Sequence, residues 1–213
     1  VFADTILKDL FNPTLISVGT NHYFGHKKEG DFEFLKAFCS HNNIELHTPV
    51  MREHMGSTIS SSLIRSLILD GNSSKVYDYL GRFYGFNATV VSGSNRGKTM
   101  NYPTANFIPT FKNQLLPSTG LYLTRVFLDG ESYFGMMNAG VRPTFNEKKF
   151  VMEVHILSDK FGNLYDKNFY IEFLDKIRDE KKFDSKELLI KQIEKDKEVC
   201  IELIDTFKEK YEI

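Results

Sequence analysis

Three short segments carry the residue types that chemistry on phosphate groups requires. Gly93-Ser94-Asn95-Arg96-Gly97-Lys98-Thr99 places two glycines and two cations in one loop. Gly93 and Gly97 let backbone approach an anion closely, and Arg96 and Lys98 add charge-assisted hydrogen bonds to phosphate oxygens. The loop is not a P-loop, which needs four residues between its first glycine and the Gly-Lys pair, whereas three stand here. Tyr102-Pro103 also follows where a P-loop helix should open, and proline removes a backbone donor there. Taken alone, the same composition makes a solvated hairpin tip.

Pro103-Thr104-Ala105-Asn106 comes next. On an extended chain Thr104 and Asn106 share a face, and a hydroxyl beside an amide oxygen suits a hydrated Mg²⁺ with its attached phosphates. Further on, Phe150 to Leu157 alternates, with Phe150, Met152, Val154 and Ile156 on one face and Glu153 and His155 on the other. Phosphoryl transfer to an alcohol needs a group that accepts the hydroxyl proton, and a carboxylate on a rigid strand suits that task. A glutamate on the wet face of a strand is otherwise commonplace, so Glu153 gains meaning only from its neighbours.

These residues need a scaffold, and its periodicities are readable. Thr14 to Gly19 reads as a short buried strand, Asp31 caps a helix carrying Phe34, Leu35 and Phe38, and Ile44 to Leu46 is another strand. Serines 60 to 62 precede a helix stopped by Gly71, and Ser73 to Leu80 forms one more. Beyond Gly81 the period changes to that of strands: Thr89 to Val91, Leu121 to Leu128, Tyr133 to Met137, Phe150 to Leu157 and Phe169 to Leu174. That spacing predicts an antiparallel sheet or a small closed barrel. A final helix is predicted from a capping box of Asp184 and Glu187, with Leu189, Ile193, Cys200, Leu203, Ile204, Phe207 and Tyr211 as its apolar stripe. The change of period sets a boundary between an α/β domain, 1–82, and a β-rich domain, 83–213.

Composition narrows the partners. With 41% hydrophobic and 14% aromatic residues the chain has core material for both domains, and 27 Lys plus Arg against 28 Asp plus Glu leave a net charge of -1. Such a balance gathers neither nucleic acid nor an anionic membrane, so an anion must be held by local groups. Cys39 and Cys200 lie in no metal or redox spacing, which fits a reducing cytoplasm. No apolar run has the length of a membrane span.

In combination the motifs resemble the riboflavin kinases of the bacterial bifunctional FAD synthetase type. The shared pieces are the Gly93-to-Lys98 loop, Pro103-Thr104-Ala105-Asn106, Gly120-Leu121-Tyr122, Asn138-Ala139-Gly140-Val141-Arg142-Pro143-Thr144-Phe145, Glu153-Val154-His155, and Ile177-Arg178-Asp179-Glu180-Lys181-Lys182-Phe183. The resemblance covers the chain from about Leu80 onward. It implies a six-stranded antiparallel Greek-key β-barrel with a C-terminal helix, binding ATP at the glycine loop and converting riboflavin to FMN. By the same resemblance Gly93, Arg96, Gly97 and Lys98 meet the phosphates, Thr104 and Asn106 contact Mg²⁺ and phosphate, Glu153 is the base, and Arg178 lies near the flavin. A sensor that binds flavin or nucleotide on the same barrel without turnover is the alternative.

Upstream, Gly19-Thr20-Asn21-His22-Tyr23-Phe24-Gly25, Gly30-Asp31 and Ile59-Ser60-Ser61-Ser62-Leu63-Ile64-Arg65 resemble the FMN adenylyltransferase half of those enzymes, which makes FAD. The resemblance implies that residues 1–82 represent the C-terminal portion of a Rossmann-like nucleotidyltransferase. Ser61, Ser62 and Arg65 at a helix start make an anion site, which in the family serves the ATP phosphates. The H-x-G-H signature of that half does not occur in the chain, so either adenylylation belongs to a longer parent or that first domain has been lost. His22 and His26 do not replace it, because Gly25 interrupts their helical spacing and no third metal ligand accompanies them.

Overall fold

The computed structural model describes residues 2–50, 52–54, 56–93, 102–143, 148–158 and 167–212. Contacts divide the chain into two compact units, Val1–Ile59 and Ser60–Ile213.

In the first unit a π-type helix, Phe2–Phe11, precedes strand β1, Leu15–Ser17, which pairs in parallel with β2, Glu45–His47. Parallel neighbours need a crossover, and helix α1, Phe32–His41, supplies it. The Asp31 carboxylate caps α1 as the sequence predicts, accepting from the Phe34 N–H at 2.8 Å. Ala3, Leu35, Phe38 and Cys39 form the small core, with Ile16, Val18 and Leu46 packed on it. A short ribbon of β3, Glu53–His54, and β4, Ser57–Thr58, follows.

The second unit begins with α2, Ser61–Leu69, and α3, Ser73–Leu80. Gly71 ends α2 as expected, at φ +76°, a conformation in which a side chain would be strained. Six antiparallel strands then close a barrel: β5, Tyr84–Val91; β6, Ala105–Pro109; β7, Gly120–Leu128; β8, Glu131–Pro143; β9, Lys148–Ile156; and β10, Asn168–Arg178. The order around the barrel is β10-β5-β6-β9-β8-β7, so the chain jumps from β6 across to β7, winds back through β8 to β9, and closes with β10 between β7 and β5. This is the expected Greek-key closure, which leaves no open edge.

Strand alternation sorts the apolar residues into two layers. Phe86, Ala88, Val90, Phe107, Tyr122, Val126, Met137, Met152, Val154, Ile171 and Phe173 fill the barrel. Phe83, Leu121, Leu123, Met136 and Leu174 form an outer layer beneath helix α4, Lys186–Tyr211, whose Cys200 and Phe207 are buried against them. The unbroken run Leu121-Tyr122-Leu123 is explained by this two-sided burial, Tyr122 pointing in and its neighbours out. The α4 cap differs from the sequence expectation. Ser185, in an extended conformation, accepts from the Leu188 N–H at 3.3 Å, and Asp184 lies one residue too early for that role.

The contact division at 59/60 precedes the change of period at 82 because α3 is helical in pattern yet packs on β5 and β10. Its Tyr77 ring lies 4.6 Å from Phe83 and 4.4 Å from Tyr211, centroid to centroid.

Candidate functional site

The site is built on the outer face of β9. Met152 and Val154 belong to the interior, so Glu153 between them faces outward, and His155 does the same. Register then surrounds Glu153 with amides, since Asn106 of β6 pairs with it on one side and Asn138 of β8 on the other. Opposed residues share a face, and the row continues from Asn106 to Val91 of β5, and from Asn138 through Leu121 of β7 to Arg178 of β10. One register line thus threads all six strands and carries Asn106, Glu153 and Arg178, three residues singled out from sequence.

Thr104 reaches the same point from just before β6. Its Oγ1–H donates to Glu153 Oε2 at 3.1 Å, which fixes the carboxylate and leaves the threonine lone pairs for an electropositive partner. Asn106 is buried, and a Cβ on Gly93 at the end of β5 would overlap its amide. Gly93 is therefore required by close approach: it lets the chain pass directly over Asn106. Pro103 and His155 add a second tie, His155 Nδ1 lying 2.8 Å from the Pro103 carbonyl oxygen. The Tyr102 ring stands edge-on to the imidazole, with centroids 5.4 Å apart. Burial lowers the His155 pKa, Lys197 pushes it the same way, and the Pro103 carbonyl opposes both. Burial raises the Tyr102 phenol, with Glu194 and Glu198 adding to the effect.

Arg178 lies on the row, but its guanidinium is engaged with α4. Nε and Nη2 donate to Asp196 at 2.7 to 3.0 Å, and Nη1 donates to the Asp179 carbonyl at 3.0 Å. Gln192 adds a hydrogen bond to Asp196, which is 3% exposed. The segment that follows turns back toward β8, so that a Cβ on Gly140 would meet Glu180 Oε1 at 2.5 Å. Arg178 thus braces the approach of 179–183 to the strand that carries Asn138.

The structure brings Gly93, Thr104, Asn106 and Glu153 together. Ser61, Ser62 and Arg65 stand exposed on α2, a separate element, where the Ser60 hydroxyl caps the helix by accepting from Leu63 N–H at 3.2 Å. Arg96, Gly97 and Lys98 lie outside the described residues. Sequence reasoning gave Asn138 no role, because only register reveals that it faces Glu153. It placed His155 on the correct face but supplied no sign of its bond to Pro103. Among the described residues no three His, Cys, Asp or Glu side chains gather as a metal site. The donors beside Glu153 are instead a hydroxyl and an amide, hard neutral groups suited to a cation that arrives with its own anionic ligands.

The family model described as riboflavin kinase matches residues 80–204, and the one described as FAD synthetase matches residues 1–63. A bifunctional riboflavin kinase/FMN adenylyltransferase of Pseudomonas fluorescens is 33% identical over 88% of this chain and 60% of its own length. The protein so described from Haemophilus influenzae is 33% identical over 94% of this chain and 64% of its own. The chain therefore spans a little over six-tenths of these curated relatives. A crystal structure described as a macrolide-efflux protein from Streptococcus pneumoniae matches with a TM-score of 0.82 at 33% identity, over 93% of this chain and 63% of that one. Among the described residues no helix is long and apolar enough to cross a membrane.

Proposed function

The chain belongs to the riboflavin kinase family, and from that membership we propose that its barrel transfers the terminal phosphoryl group of ATP to riboflavin, giving FMN and ADP. The observation that carries this reading is the fixed carboxylate of Glu153, tied to Thr104 at 3.1 Å and in register with the buried Asn106. As the ribityl hydroxyl oxygen bonds to the γ-phosphorus, its proton passes to Glu153 and the bond to the bridging oxygen of ADP breaks. Little covalent work falls to the protein, and positioning supplies most of the rate.

Thr104 and Asn106 are the residues proposed to hold Mg²⁺, which when bound neutralises phosphate charge. The Thr104 hydroxyl hydrogen is directed at Glu153 in a hydrogen bond, so the oxygen lone pairs can face a cation. Gly93, Arg96, Gly97 and Lys98 are proposed to cover the phosphates. Arg178 is proposed to border the flavin through the segment it braces, whose Glu180 reaches Gly140 two residues beyond Asn138. In a parent of the relatives' length, the α/β part is proposed to convert FMN and ATP to FAD and pyrophosphate, with Ser61, Ser62 and Arg65 at the phosphates. The cytoplasm is the proposed compartment, where ATP and riboflavin meet and the buried Cys39 and Cys200 stay as free thiols.

Incubating the 213-residue chain with riboflavin, ATP and Mg²⁺, followed by chromatography with fluorescence detection, tests the reading. FMN should accumulate and should cease when the cation is chelated. A folded protein that binds riboflavin but yields no FMN would favour the non-catalytic sensor instead. Gly93→Ala sharpens the test at the nucleotide side. Its Cβ must displace the Asn106 amide, and a strain of about 1–3 kcal/mol falling on the proposed nucleotide contact should raise the KM for ATP by about fivefold to 150-fold. An unchanged KM would separate Gly93 from nucleotide binding.

A further inference from the structure

We infer that His155 is a positioning residue for phosphoryl transfer, acting through the Pro103 carbonyl to hold Thr104 against Glu153; this deepens the kinase reading and rests on it. The β6–β9 ladder begins at Ala105↔Val154, so residues 102–104 lie beyond its last paired residue. Pro103 has no N–H with which to extend that ladder. Two adjacent outward side chains of β9 take over. Glu153 accepts from the Thr104 hydroxyl at 3.1 Å, and His155 lies 2.8 Å from the carbonyl of the preceding residue. The segment is thereby held at two consecutive residues by two side chains of one rigid strand.

The chemistry of the second tie is specific. A carbonyl oxygen only accepts, so His155 must carry its proton on Nδ1. The Tyr102 ring, edge-on at 5.4 Å, packs against the imidazole and restrains its rotation. Loss of the tie leaves the fold, since the interior core lies on the other face of β9, at Met152, Val154 and Ile156. It frees the Thr104 hydroxyl to swing away from Glu153, and with it the cation and phosphate that Thr104 is proposed to hold. Misplacement near the reacting atoms costs rate more than it costs affinity for the remote flavin.

Three variants of the full chain separate a directed hydrogen bond from bulk packing. H155N puts an amide N–H where Nδ1 stands, H155Q puts one where Nε2 stands, and H155L keeps only apolar volume. H155Q and H155L should lower kcat for FMN formation by about tenfold to a hundredfold with little change in the KM for riboflavin. H155N should restore most of the lost turnover, and all three should melt close to the parent. Nitrogen-detected NMR of the imidazole in the unliganded protein should find Nδ1 protonated and Nε2 bare at neutral pH. Equal activities of H155N and H155Q beside an active parent, or an Nε2–H tautomer, would overturn the inference and leave the kinase reading intact. Absence of FMN from the parent would overturn that reading, and this inference with it.

Discussion

Glu153→Gln is expected to slow FMN formation by about a thousandfold, the middle of the range for a removed general base, while leaving the fold and both substrates' binding in place. The substitution keeps the side-chain shape, and the glutamine oxygen can still accept from Thr104 Oγ1, now 3.1 Å from the carboxylate. Because Glu153 lies on the outer face of β9, the interior packing of Met152 and Val154 is untouched. On the proposed role of Glu153, the variant loses only the capacity to take the proton of the ribityl hydroxyl. Steady-state rates beside riboflavin and ATP binding measured by titration check this. A variant that turned over at the parent's rate would assign the proton to another acceptor.

Asp196→Ala should cost about 3–5 kcal/mol of folding stability, because it strands a guanidinium that is mostly shielded from water. Arg178 is 17% exposed and Asp196 3%, and three hydrogen bonds join them. Asp196→Asn keeps an acceptor for Arg178 and should lose less. Removing both charges, with Arg178→Met and Asp196→Leu together, should recover most of the loss. The midpoints of urea unfolding read all three. The expected order is Asp196→Ala least stable, then Asp196→Asn, with the double variant nearest the parent. An Asp196→Ala protein of parental stability would show that α4 is held by its apolar stripe alone.

What the sequence made legible follows from which interactions are local. The Asp31 cap, the Gly71 stop, the helix Ser73–Leu80 and the outward face shared by Glu153 and His155 each depend on residues within one turn or one strand. The apolar stripe of α4 was readable for the same reason, although its cap at Ser185 rather than Asp184 turns on one residue's backbone angles. Strand β6 was harder to read, being short and bounded by Pro103 and Pro109, so only its extended character was evident. The pairing of Asn138 with Glu153, the bond between His155 and Pro103, and the capture of Arg178 by Asp196 were not legible at all. Each joins residues on different elements, and register and helix docking set them. Arg178 shows the consequence: its motif marked it as near the flavin, and only helix docking reveals that its guanidinium pairs with Asp196 of α4.

On the proposed function this chain moves the terminal phosphoryl group of ATP onto riboflavin at Glu153. The most direct measurement follows the label, giving the protein riboflavin and Mg²⁺ with ATP labelled either at the γ- or at the α-phosphate, and isolating the flavins. Label from γ-labelled ATP should appear in FMN, none should reach FMN from α-labelled ATP, and Glu153→Gln should suppress the transfer. FMN that carries no γ-label, or no labelled flavin from a folded and riboflavin-bound protein, would rule out this transfer.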